Sequence, residues 1–131
     1  LKDLLKTSKN KYPLFIELKP TFSKKLLRKL LKETSNYTKC VFISFKHENI
    51  YNLLKIKTNI KVGLSFSTQA SIKTIIKRSN DKKINCLILD KFFLKKKTIQ
   101  NLKIKKYYYT IKTKSEFNKY SKDNNLIFEN L

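Results

Sequence analysis

Six short apolar runs recur along this chain at near-regular intervals, and that spacing restricts the fold more than any other feature. The runs are Leu14–Leu18 (LFIEL), Val41–Phe45 (VFISF), Val62–Phe66 (VGLSF), Ile84–Leu89 (INCLIL), Tyr107–Ile111 (YYYTI) and Leu126–Phe128 (LIF). None alternates polar with apolar residues, so each predicts a strand covered on both faces. Their starts lie 19 to 27 residues apart, room for one helix and its turns.

The intervening segments carry a helical period. Phe22, Leu26, Leu27, Leu30 and Leu31 form one stripe, with Lys24, Lys25, Arg28, Lys29 and Lys32 opposite and Thr21 or Ser23 as the cap. Ile50, Leu53 and Leu54 repeat it, as do Ile72, Ile75 and Ile76 behind the caps Ser67 and Thr68. Ile99 with Leu102, and Phe117 with Tyr120, are shorter versions. Leu1, Leu4 and Leu5 also stand at helical spacing, and the chain starts at Leu1 and contains no Met. The expectation is therefore a piece that enters partway through a series of strand–helix units. Such units build a parallel sheet by right-handed crossovers. The fold class expected is α/β, a partial TIM-type (β/α) barrel of about six parallel strands with outer helices. The first two strands are missing, and one domain spans residues 1–131. In that arrangement the strands at Leu14 and Leu126 expose edges, which favours poor stability or self-association.

The formal net charge is +22, which suggests a polyanionic partner. Yet all but two of the 31 basic residues are Lys, the exceptions being Arg28 and Arg78, whereas bidentate reading of phosphate or guanine favours Arg. Abundant Lys, Asn, Ile, Phe and Tyr is also what AT-rich codons produce. The charge therefore predicts attraction to an anionic membrane surface but no specific nucleic-acid partner. Cys40 and Cys86 lie in apolar runs without CxxC spacing and read as small buried hydrophobes. No apolar stretch approaches a transmembrane length. The expected compartment is the cytoplasm, with a signal peptide ahead of residue 1 left as an open alternative.

In a parallel barrel, functional groups collect where strands end. The strand ends here carry Glu17 and Lys19, Ser44, Ser65, Asp90 and Lys91, Thr110 and Lys112, and Glu129 with Asn130. Glu17 and Lys19 are two apart, so in a strand they share a face with Phe15 below. That pair reads either as a structural ion pair or as a cation-binding carboxylate beside a phosphate-neutralising ammonium. His47, the one histidine, falls at the first turn of the helix after the second strand and reads as a surface residue.

Taken together, PLFIELK followed by VFISFKHENIYNLLKIKTNIKVGLSF resembles the glycerophosphodiester phosphodiesterase family. In that family a strand ending Glu-x-Lys precedes one ending Ser-Phe and then a strand with Gly about twenty residues on. YYYTIKTKSEFNKY resembles the family's Trp-Thr-Val-Asn strand and helix, and NNLIFENL its closing Gly-x-Ile-x-Thr-Asp-x-Pro strand. The likeness covers only the C-terminal part of the domain. It implies a phosphoric diester hydrolase that cleaves glycerophosphodiesters to glycerol 3-phosphate and an alcohol with a divalent cation, Ca or Mg. It further implies Glu17 as a metal ligand, Lys19 at the substrate phosphate, and Ser44, Phe45 and Tyr109 in the pocket wall. Within the likeness Tyr109 replaces Trp, Lys112 replaces Asn, and Glu129-Asn130 replaces Thr-Asp. The family's two catalytic histidines belong upstream of residue 1 and His47 matches neither motif. No catalytic residue is therefore expected here, and this chain alone should be inactive. The alternatives are a catalytically dead remnant and, in a different class, a basic nucleic-acid-binding protein.

Overall fold

The computed structural model describes residues 1–131 and contains six strands and six α-helices. The strands are β1 (Leu14–Glu17), β2 (Cys40–Ser44), β3 (Lys61–Phe66), β4 (Cys86–Asp90), β5 (Lys105–Ile111) and β6 (Asn125–Phe128). The helices are α1 (Lys2–Ser8), α2 (Lys24–Glu33), α3 (His47–Ile56), α4 (Ile72–Ser79), α5 (Lys97–Gln100) and α6 (Lys114–Tyr120), with a 3-10 turn at Lys91–Lys95. Every apolar run is a strand, and the strand order follows the sequence from β1 to β6. The pairings β1–β2, β4–β5 and β5–β6 are parallel. This is the α/β, partial TIM-type arrangement of strand–helix units.

The chain divides into two compact units, Leu1–Gly63 and Leu64–Leu131. In the first, β1 pairs with β2 from Leu14 opposite Cys40 to Glu17 opposite Ile43, and α2 packs against α3. Helix α2 shows how its sequence selects its place. Ser23 is extended and its side chain accepts a hydrogen bond from Leu26 N at 3.2 Å, which starts the helix. Leu27, Leu30 and Leu31 are then buried, with Ile50, Leu53 and Leu54 of α3 buried as well. Leu26 departs from the expected stripe and is 51% exposed. It lies one position off the buried face, and Leu27 takes its place in the core. Thr21 does not cap; its hydroxyl donates to Glu48 Oε1 at 2.9 Å instead. In α1 only Leu5 of the three expected leucines is buried, and Leu1 and Leu4 face solvent.

In the second unit β5 pairs with β4 on one side and β6 on the other, with a register shift between Tyr108 and Ile111. Its core contains Leu64, Phe66, Ile75, Leu87, Leu89, Phe93, Ile99, Tyr108 and Ile111. Helix α4 is capped by Ser71, which accepts from Thr74 N at 3.1 Å, and not by Ser67 or Thr68. Ser67 belongs to a turn, where its hydroxyl accepts from Gln69 N. The region around Ile99 is a 3-10 turn followed by a single α-turn, since Lys96 is extended and interrupts the helix.

The expectation of two covered faces holds for β2, β3 and β4, is met only in part by β5, and fails at the ends of the order. β2, β3 and β4 are buried nearly throughout, whereas β1 alternates half-buried with exposed residues and β6 is exposed at both termini. Phe15 and Phe128 are accordingly exposed. Cys40 and Cys86 are buried free thiols, and burial pushes the Cys86 thiol up to about 11.

Candidate functional site

Glu17 closes β1, and Phe15, Glu17 and Lys19 are all exposed while Leu18 between them is buried. The side chains alternate as a strand requires, so carboxylate and ammonium leave the same face. They form no ion pair with each other or with any other group. The structural ion pair is therefore the reading that the geometry removes, and an unpaired carboxylate stands beside an unpaired ammonium at a strand end.

What holds that strand end is a buried polar knot. Leu18 N extends the ladder to Ile43 O at 2.8 Å. Ser44, wholly buried, donates its hydroxyl to Leu18 O and accepts from Lys46 N at 3.0 Å. Asn49, also wholly buried, donates to Pro20 O at 2.7 Å and accepts from Phe22 N at 2.9 Å. One side chain in the first turn of α3 thus fixes the segment that leaves Glu17 and Lys19. Ser44 lies inside this knot, and Phe45, the next residue, is 45% exposed. His47 begins α3, as the sequence predicts, and is partly exposed.

Asn49 was not legible as a site residue. Asn in a helix usually faces water, and the only available signal was its polarity within the otherwise apolar face of NIYNLL. The cavity in this unit, about 470 Å³, is lined by Leu31, Tyr37, Lys39, Cys40 and Lys61. It opens at the starts of β2 and β3, the opposite end of these strands from Glu17.

In the second unit Tyr109 is partly buried, and its hydroxyl donates to Phe66 O at 2.9 Å, tying β5 to the end of β3. Asp90 at the end of β4 is spent as a cap, accepting from Phe92 N at 2.9 Å. Lys91 reaches across to Glu116 at 3.0 Å. The hydrogen bond from Lys91 holds the Glu116 carboxyl below its ordinary range, assisted by the nearby charge and by Thr113. Lys112 and Glu129 approach to 4.0 Å as an exposed pair, worth little by itself. Tyr108, at the centre of the Tyr107–Tyr109 cluster, is 1% exposed.

A hard divalent cation seeks six or more oxygens. No three Asp, Glu, His or Cys side chains of this chain converge to hold one, and Glu17 offers a single carboxylate. The residues present do not by themselves make a complete cation site. No helix is long and apolar enough to cross a membrane.

No protein-family model and no curated protein matches the sequence. Solved structures do match. A phosphodiesterase from Oleispira antarctica, in complex with the product sn-glycerol-3-phosphate, is 17% identical with a TM-score of 0.79, over 98% of this chain and 56% of that one. A glycerophosphodiester phosphodiesterase from Thermotoga maritima is 16% identical with a TM-score of 0.75, over 98% of this chain and 58% of that one. Another from Parabacteroides distasonis is 13% identical with a TM-score of 0.71, over 97% and 58%. The chain spans a little over half the length of these structures, and over that length it has the fold of the glycerophosphodiester phosphodiesterases.

Proposed function

We propose that this chain is the C-terminal portion of a glycerophosphodiester phosphodiesterase domain, which releases glycerol 3-phosphate and an alcohol. Its contribution is one carboxylate, one ammonium and part of the pocket wall. The observation that carries the reading is the unpaired Glu17–Lys19 pair, projecting from the end of β1 in a fold shared with such enzymes. Glu17 supplies one oxygen ligand to a Ca or Mg ion completed by groups outside this chain. Lys19 offsets charge on the substrate phosphate as a point cation. Phe45 contributes to the pocket wall in the first unit, with Ser44 acting behind it through the knot with Leu18 and Lys46, and Tyr109 is the wall residue of the second unit. Acid–base catalysis of diester hydrolysis needs a proton donor and a proton acceptor. The two histidines that fill these roles in the family that the sequence resembles have no counterpart in residues 1–131, so this chain alone is expected to be inactive.

The test is to express the native coding sequence together with what lies upstream of the Leu1 codon. Release of glycerol 3-phosphate from glycerophosphocholine is then assayed with Ca or Mg. Glu17→Ala is expected to lower kcat/KM by about a hundredfold or more, the scale for losing a charged group that stabilises the transition state. Absence of release, or activity indifferent to Glu17→Ala, would refute the assignment.

A further inference from the structure

Just past the C-terminal end of β4, the second unit presents a surface to which the proposed function assigns no residue. We propose that this surface docks on a lipid bilayer containing anionic phospholipids. The argument begins with two adjacent phenylalanines that part ways. In the 3-10 turn Lys91–Lys95, Phe93 enters the core at 1% exposure while Phe92 stands out at 50%. Their rings meet edge to face at 5.4 Å, and the Asp90 carboxylate caps the turn. Phe93 therefore anchors the turn, and Phe92 is held outward on a fixed base.

Around Phe92 lies an open basin of about 630 Å³, whose lining includes Lys91, Lys95, Lys96, Lys119 and Tyr120. Its two carboxylates are already committed, Asp90 to the cap and Glu116 to Lys91. Lys95, Lys96 and Lys119 meet no carboxylate. A protruding aromatic ring ringed by uncompensated lysines is what a bilayer interface selects, since the ring enters the acyl boundary while the ammoniums meet lipid phosphates. Lysine suits that role because it acts as a point charge and requires no fixed partner geometry.

Single-stranded nucleic acid also uses basic and aromatic residues, by stacking bases on ring faces. Here Lys96 stands 4.8 Å above the Phe92 ring and Lys119 5.2 Å above that of Tyr120. Each ring thus has a face covered by a cation. Insertion into lipid needs no free face, whereas a base can stack only on the face that the cation leaves open, so this arrangement favours lipid over stacked bases. This inference does not depend on the diesterase assignment and survives its failure.

The chain contains no Trp, so Phe92→Trp places a single indole reporter at an exposed position. Mixed with vesicles of phosphatidylcholine and phosphatidylglycerol at near-physiological salt, the full chain carrying Phe92→Trp is expected to shift its emission to the blue. Vesicles of phosphatidylcholine alone should leave it unchanged. In the same background Lys95→Glu with Lys96→Glu should weaken vesicle binding at least about tenfold, because each lysine near an anionic surface contributes about fivefold. Lys24→Glu with Lys25→Glu, on exposed α2, should cost no more than about threefold. No blue shift with anionic vesicles overturns the proposal. So do equal losses in the two charge reversals, which would mean attraction by net charge alone. Tighter binding to single-stranded DNA than to anionic vesicles, with loss of indole emission, would overturn it in favour of nucleic acid.

Discussion

Tyr108 carries an energetic liability in the core of the second unit. Its hydroxyl has no hydrogen-bond partner, and a buried polar group left unmade costs about 1–3 kcal/mol. Tyr108→Phe is therefore expected to leave the thermal midpoint unchanged or raise it, as scanning calorimetry would show. The same burial raises the tyrosine from 10.0 to about 12. Between those values the folded chain keeps a proton that the unfolded chain has released, so stability is full below pH 10 and falls as pH rises toward 12. Cys86 acts in the same direction from 9.0 to about 11. Tyr108→Phe should remove the tyrosine share of that alkaline loss; an unaltered pH profile would show that Tyr108 ionises as freely in the fold as outside it. Sequence made this residue visible as a strand interior, because three tyrosines precede Thr-Ile in a β-rich run. It could not reveal which of the three turns inward, since that depends on the register with β4 and β6. The same limit applies to Asn49, whose value lies in where Pro20 and Phe22 come to rest.

At the scale of elements, periodicity located every strand because each one is a short apolar run bounded by lysines and turn residues. It was less reliable for caps and faces. A hydroxyl before a helix can serve the helix or a turn, and Ser67 serves the turn while Ser71 serves α4. Both Leu26 and Leu27 fit the apolar stripe of α2, yet one is half-exposed and the other fully buried. Their alanine variants should separate sharply. Leu27→Ala is expected to cost about 2–5 kcal/mol, the range for emptying a core leucine site. Leu26→Ala should stay within about 0.5 kcal/mol, since surface changes away from special features are small. Urea unfolding measures both, and equal losses would mean that the face of α2 is assigned wrongly. The Glu17–Lys19 face was legible because strands have a strict period of two. The unpaired state of the pair was not, because pairing depends on rotamers and on the absence of a neighbouring partner.

Across the molecule, 31 basic residues face 9 acidic ones, so ion pairs such as Lys91–Glu116 and Lys112–Glu129 offset only a minority of the positive charge. Repulsion among exposed lysines opposes compaction and keeps copies apart, and both effects weaken as salt shortens the screening length from about 10 Å at 0.1 M to about 3 Å at 1 M. Raising NaCl should therefore raise the thermal midpoint and at the same time promote self-association through the half-exposed strands β1 and β6. Differential scanning fluorimetry and sedimentation velocity on the same samples would test this; a midpoint that falls with salt would contradict it. The strand order has a further consequence for how such a chain is made. Each strand's neighbour is the next one to be synthesised, so every pairing closes over a single strand–helix unit, the shortest span that a parallel pair allows, although parallel pairing is still slower than helical contact. The sheet can grow one strand–helix unit at a time as the chain leaves the ribosome, each finished strand acting as the template for its successor.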